Sequence, residues 1–467
     1  MLSLAHTIAR NPRTASRTWP AETVVYLPDG NTIHSLNETA SVVWEFLIHR
    51  PTVAQIVRHV AHEFEVSEEQ ATQDVKTLLE TLAARNLVIF SGGLDDGNAR
   101  GVSATARESD KAERQIPLLY RIKDRAREQN IPMHALLELT NNCNLWCRHC
   151  YITHRPAKGE LTLDEIKPIL DQLADLGVLF LTLTGGEALS RKDFFSIAEY
   201  ARQRDFSFSL FTNGTLITPS VADRLKELAL ERAEISILGA TAATHDAITQ
   251  VEGSFEKAIE GARLLIDRGI NVQLKTTWMK LNIDESEEIR DLVDSLGVTS
   301  FRGGNLIIHR RDGSSENSSL AAEESQMRAM QQRRLDRHPG AQLPPDPPPL
   351  SEEQKKDIIP CGAGQTSLRI DAYGNVYPCA AINVLLGDAK TTPLAEIWYG
   401  SEELEKIRAI RLADLPECSA CALWQRCTRC AGLALMETGS LFAASPQACR
   451  VARIQHKFLE EKQCELQ

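Results

Sequence analysis

The sequence predicts a mixed α/β protein, with a partial (β/α)6 barrel at its centre, a small α+β module before the barrel and a Cys-rich segment after it. Three observations predict this. Between about 113 and 338, the apolar, often β-branched runs ALLELT, VLFLTL, FSFSLFT, AEISIL, NVQLKTT and SFRGGNLII alternate with amphipathic stretches such as LTLDEIKPILDQLADLG and GSFEKAIEGARLLIDRG. Alternation of that kind implies a parallel sheet, curved into an open or partial barrel. Over 22–90 a hairpin pattern, VVYLPDGNTIHSL, is followed by three helical patterns. Finally, the eleven cysteines avoid the first 142 residues, with three between Cys143 and Cys150 and eight from Cys361 onward.

In chain order, the opening MLSLAHTIARNPRTASRTWP carries several Arg and no acid, a composition shared with transit peptides; an irregular or frayed terminus is the expectation. The hairpin turns at Asp29-Gly30-Asn31, residues suited to left-handed backbone. Asn37, Thr52 and Ser67 stand where the three helices should open, and Val42, Val43, Phe46 and Leu47 recur at helical spacing. The winged-helix-like module is drawn as 1–95. Residues 96–112, rich in Gly, Ser and charge, read as a linker to the barrel, 113–338. The Pro-rich stretch 339–350 reads as a spacer, and 351–467 as a small domain stabilised by metal more than by a large core.

Composition narrows the function. A net charge of −11 argues against a general nucleic-acid binder. No apolar run approaches a membrane span and no secretory signal is visible, so a cytoplasmic location is expected. Clustered cysteines in a long chain of that kind point to metal ligands in preference to disulfides.

Cys143, Cys147 and Cys150 stand as CNLWCRHC, directly after ALLELT. Three thiolates on one short loop can hold three corners of a four-iron cluster and leave the fourth iron open. On spacing alone, zinc with His149 as fourth ligand is the alternative. The spacing, with TGGEAL (Thr184 to Leu189), TNGTLI around Asn213 and ISILGA (Ile235 to Ala240), resembles the radical S-adenosylmethionine (SAM) superfamily. The resemblance implies a TIM-like partial barrel. It also implies that Cys143, Cys147 and Cys150 carry a catalytic [4Fe–4S] cluster that cleaves S-adenosylmethionine to a 5′-deoxyadenosyl radical. By the same resemblance, Gly185 and Gly186 let backbone approach the methionyl amino group, and Glu187 or nearby carbonyls bind that ammonium. Asn213 and Ser236 contact ribose or carboxylate, and His149 packs near the adenine. One departure is Leu238, where many relatives carry Asp.

Farther on, Cys361 and Cys379 are followed by Cys418, Cys421, Cys427, Cys430 and Cys449. The pattern resembles the SPASM domain, which implies two auxiliary [4Fe–4S] clusters and three in all. Cys418, Cys421, Cys427 and Cys449 would hold one; Cys361, Cys379 and Cys430 would hold the other. Cys427 and Cys430 are separated by two residues where three is commonest. The second set has three ligands, so either an iron stays open to a substrate thiolate, or a non-Cys residue or Cys464 closes it. Cys464, near the end of the sequence, reads as a free thiol. Paired zinc ribbons are the alternative for this segment.

The N-terminal module resembles the RiPP recognition element, similar to the chaperone of pyrroloquinoline-quinone biosynthesis, at Leu36-Asn37-Glu38-Thr39-Ala40 and LLETLAARNLV. Such modules take a precursor's leader as an added strand at a hairpin edge. Together the resemblances imply a radical maturase of a ribosomally made peptide, served by an electron donor such as flavodoxin or ferredoxin. Thioether crosslinking is the first expectation, and carbon–carbon crosslinking or other peptide or cofactor maturation by the same radical chemistry is the second. One maturase of this design acts on quinohemoprotein amine dehydrogenase, joining Cys to acidic residues. A regulator with a DNA-binding winged helix and zinc is the reading from another class; it has no use for TGGE and TNGT at strand ends.

Overall fold

The computed structural model describes residues 2–20, 22–91, 108–153, 158–338 and 347–465. Most of the expected linker and of the Pro-rich spacer lies outside them. Contacts divide the chain into two units: Met1–Ile131 with Gly177–Leu179 and Arg202–Ser207, and Pro132–Leu176, Phe180–Ala201 and Phe208–Gln467.

The first unit holds strands β1 (Thr7–Arg10), β2 (Ala15–Trp19), β3 (Glu22–Leu27), β4 (Thr32–Leu36) and β5 (Val88–Ser91). Gly30 (φ +97°) and Asn31 (φ +52°) take the left-handed conformations that the β3–β4 turn requires. Asn37, Thr52 and Ser67 cap helices Glu38–Phe46, Val53–Glu63 and Glu68–Ala84, each side-chain oxygen accepting the N–H three residues on. Val25, Val43, Trp44, Leu47, Ile56 and Leu79 pack into one core. The opening segment is not irregular, contrary to expectation. β2 joins β3 and β4 in an antiparallel sheet, and β1 pairs with β5. Both strands are short, and ASRTW breaks the apolar pattern with an Arg that is itself buried. The helix Glu108–Glu128 begins inside the segment expected as linker.

The second unit is built on β6 (His134–Glu138), β7 (Phe180–Thr184), β8 (Ser207–Thr212), β9 (Arg232–Ser236), β10 (Val272–Thr277) and β11 (Ser300–Gly304), adjacent in chain order. Parallel register puts Leu136 opposite Thr182 and Leu274 opposite Phe301. Helices return the chain between strands; Leu163–Asp175, for example, opens on a Thr162–Glu165 capping box. These are the six expected strands.

The Cys-rich segment does not stand apart from this sheet. Strand β12 (Ser367–Ile370) pairs in parallel with β6, and β13 (Asn375–Tyr377) and β14 (Gly387–Asp388) continue the sheet antiparallel. The pairing covers the N–H and C=O row that β6 would otherwise expose as an edge. A long helix, Pro446–Glu465, was not anticipated either; Val451 and Ile454 pack with Trp278, Ile283 and Met327. Among the described residues no helix is long and apolar enough to cross a membrane.

Candidate active site and metal centres

The residues expected to hold the catalytic cluster and S-adenosylmethionine lie at or beyond the C-terminal ends of β6 to β9, where barrels of parallel strands place their chemistry. The loop after β6 carries the three thiols. Its base is held by Glu160, whose carboxylate accepts from Thr140 Oγ1 (3.0 Å) and from the Asn141 N–H (2.7 Å). The TGGE turn after β7 closes on the same loop: the Gly186 N–H donates to Thr140 O (2.6 Å) and the Glu187 N–H to Asn142 O (2.8 Å). A Cβ on Gly185 would come within 2.3 Å of Thr140 O, and one on Gly186 within 2.2 Å of Asn142 O. The glycine pair therefore lets two stretches of this chain touch.

Glu187 is wholly buried and accepts from Thr212 Oγ1, the Asn213 N–H (2.8 Å) and the Leu189 N–H (3.1 Å). Burial pushes its carboxyl pKa up, while these donors pull the other way. Asn213 Nδ2 donates to Asn144 Oδ1 (2.8 Å) and lies 3.8 Å from Cys143 Sγ. The residue thus braces the thiol loop from β8.

Cys143, Cys147 and Cys150 are close enough to act on one another electrostatically, and burial raises all three thiols, Cys143 to about 11. Coordination to a metal inverts that logic, because a ligating thiol is deprotonated outright. Two buried polar atoms on the loop, His149 Nδ1 and Asn141 Oδ1, have no partner among the described residues. His149 is held neutral at ordinary pH by burial and by neighbouring His245, its pKa lowered to about 4. Ser236, exposed at the end of β9, rims a cavity of about 260 Å³ with Lys275, Thr276, Thr277 and Arg302. Thr276 Oγ1 is likewise buried with no partner among the described residues. Three thiols with unspent polar atoms on their loop, and a hydroxyl-lined cavity at the ends of β9 to β11, fit S-adenosylmethionine at a three-ligand cluster. Leu238, at the position where relatives carry Asp, packs with Ile248, Met279 and Ile307.

A buried charge network went unread in the sequence. Glu138 on β6 is 1% exposed and receives both Nη groups of Arg311 (2.6 and 2.5 Å); Arg369 on β12, also 1% exposed, lies 3.5 Å away. The Arg311 N–H donates to Tyr151 O, beside Cys150, and Arg369 stacks over Tyr377. Each residue stands alone in sequence, so no motif marks the group.

The C-terminal thiols fall into two sets by mutual electrostatic contact: Cys418, Cys421, Cys427 and Cys449, and Cys361, Cys379 and Cys430. The division is the one the resemblance implies. Backbone N–H groups of Ala381 and Ile382 point at Cys379 Sγ (3.4 and 3.3 Å). Cys464 is exposed near the end of the last helix. Among the described residues no three His, Cys, Asp or Glu side chains close in on a single metal ion.

Residues 137–296 match the radical SAM superfamily, 22–88 the coenzyme PQQ synthesis protein D (PqqD) family and 361–430 the SPASM iron–sulfur cluster-binding domain. Over 338 residues the chain is 30% identical to the AdoMet-dependent heme synthase of Methanosarcina barkeri, across 68% of this chain and 96% of that protein. The chain belongs to the radical SAM superfamily. This radical SAM enzyme carries a SPASM iron–sulfur domain and a PqqD-like module, and the regulator reading is set aside by that membership. It is also 29% identical over 261 residues to the subtilosin biosynthesis protein AlbA of Bacillus subtilis, covering 54% of this chain and 55% of AlbA. Its fold is that of Streptococcus suis SuiB, solved bound to the precursor peptide SuiA: TM-score 0.60 at 16% identity, covering 95% of this chain and 100% of SuiB.

Proposed function

We propose that this radical SAM enzyme matures a ribosomally made precursor peptide, forming an intrapeptide thioether between a Cys sulfur and a peptide carbon. The observation that carries the reading is the PqqD-like module at 22–88 on the same chain as the SPASM segment at 361–430. In its sheet, β2 covers one side of β3, so of the two hairpin strands β4 alone has, among the described residues, no strand paired on its outer side. That edge is where a leader would add as a strand, its backbone pairing giving affinity.

Cys143, Cys147 and Cys150 would hold the catalytic cluster, and His149, Asn213 and Ser236 would line the nucleoside and carboxylate. Glu187 acts at one remove, fixing the Asn213 loop. Gly185 and Gly186 serve by letting the TGGE turn close on the thiol loop. Once bound, S-adenosylmethionine and three clusters would supply a 5′-deoxyadenosyl radical and a sink for the electron released as the bond closes. Cytoplasmic flavodoxin or ferredoxin would serve as reductant. The domain limits 1–95, 113–338 and 351–467 belong to the same proposal. So does the narrower possibility of a Cys-to-acid crosslink, as in quinohemoprotein amine dehydrogenase.

A second reading rests on the heme synthase likeness, which spans 68% of this chain: an iron tetrapyrrole in place of a peptide. One experiment separates them. Anaerobically reconstituted enzyme is given S-adenosylmethionine, a reductant and a candidate precursor, and separately an iron tetrapyrrole. The peptide reading expects 5′-deoxyadenosine and a peptide two hydrogens lighter, with one thiol per crosslink no longer alkylatable. Free leader should compete, and deletion of residues 1–95 should weaken precursor binding while leaving uncoupled cofactor cleavage intact. A product two hydrogens lighter with every thiol alkylatable would indicate a carbon–carbon bond. Turnover of the tetrapyrrole alone would overturn the peptide reading.

A further inference from the structure

The short run Cys427-Thr428-Arg429-Cys430 joins the two C-terminal thiol sets, since Cys427 belongs to one and Cys430 to the other. Arg429 therefore stands at the seam by chain connectivity, and its side chain stays there. Nη2 donates to the carbonyl of Ala443 (2.9 Å) and to that of Leu441, which anchors the guanidinium. Its charge also acts on Cys418 of the first set, pulling that thiol's pKa down against burial. The side chain also lines the small cavity beside Cys361 of the second, where the other walls are mainly apolar: Ile382, Ile407, Ile410 and Leu441. Nε is buried and has no partner among the described residues.

A guanidinium stays protonated in any protein setting, so this is a fixed positive charge. Its anchoring bonds go to neutral carbonyls, which leave that charge uncancelled. The unspent Nε–H, on a side chain that lines the Cys361 cavity, is a donor of the kind that tunes iron–sulfur centres through their sulfurs.

We propose that Arg429 is a positioning residue shared by the two auxiliary clusters, raising the reduction potential of both. Reduction adds one electron to a cluster, and a nearby cation stabilises the more negative state; its pull is strongest in an apolar, weakly screening pocket. Both centres are thereby biased toward accepting an electron. The inference rests on the reading that each thiol set holds a cluster.

The test uses the full chain, reconstituted without oxygen, with iron and sulfide counted per chain and the clusters titrated potentiometrically under EPR. Arg429→Gln is expected to keep the wild-type iron count and to lower both auxiliary potentials. Arg429→Lys, which keeps a charge but loses the planar fork, is expected to lower both by less and serves as the measure should the Gln variant shed iron. Unchanged potentials, or a shift in one cluster alone, at full iron content would overturn the shared role. A wild-type chain holding only about four irons would instead overturn the auxiliary-cluster reading beneath it.

Discussion

The carboxylate of Glu187, in the turn after β7, receives the Oγ1 hydroxyl of Thr212 (2.9 and 3.0 Å), the last residue of β8. One wholly buried side chain thus sets the spacing between two loops of the active site, and through Asn213 it braces the loop of Cys143. Glu187→Ala would strand the Thr212, Asn213 and Leu189 donors, at about 1–3 kcal/mol for each one left without water. Urea unfolding should show the loss, and affinity for S-adenosylmethionine should fall at least about tenfold, the equivalent of about 1.4 kcal/mol. Wild-type stability in this variant would refute the bracing role.

Replacing Cys143, Cys147 and Cys150 together by Ala should lower iron from about twelve to about eight per chain, one four-iron cluster. Formation of 5′-deoxyadenosine should cease. The C-terminal thiols form their own sets, so their EPR signals should persist. Cofactor cleavage in the triple variant would show that the catalytic cluster lies elsewhere.

Glu138 stands between Arg311 and Arg369, with Asp371 acting on both from farther off, and both Glu138 and Arg369 are almost fully buried. Removing it leaves two guanidinium groups facing one another. Glu138→Ala should cost about 3–5 kcal/mol, whereas replacing all three residues with apolar side chains of similar volume should recover much of that loss. Chemical denaturation of the single and triple variants checks both expectations. An equal deficit in the two would mean that charge is not the cause.

His34, buried on β4, has its pKa lowered to about 4 by desolvation and then by Arg85. The unfolded chain, near 6.5, therefore takes up a proton that the folded one resists. The stability it guards is complete above pH 6.5 and falls as pH drops toward 4, by up to about 1.4 kcal/mol per unit. Calorimetry at pH 7 and pH 5 should show a larger loss in the wild type than in His34→Gln. That comparison removes the parallel contribution of His245, which is buried in the other unit with a similar shift. Equal losses would assign the acid sensitivity elsewhere.

Features set by neighbouring residues were legible in the sequence. The Asp29-Gly30-Asn31 turn, the caps Asn37, Thr52 and Ser67, and the six barrel strands depend on residues within a turn or a strand length, and their signals are correspondingly local. The strand-end placement of Cys143, Glu187, Asn213 and Ser236 followed once those strands were read. Tertiary structure alone decided what joins distant segments. β1 finds β5 across the whole N-terminal unit, and β12 finds β6 across the barrel, because short strands gain stability only from a partner. Gly185 and Gly186 proved to be sites of chain-to-chain approach, which no spacing reveals. Glu138, Arg311 and Arg369 meet because a buried charge must be paired, and Arg429 reaches both thiol sets because the chain folds around it. Sequence determined which residues could do chemistry; burial and long-range pairing determined which of them stand together.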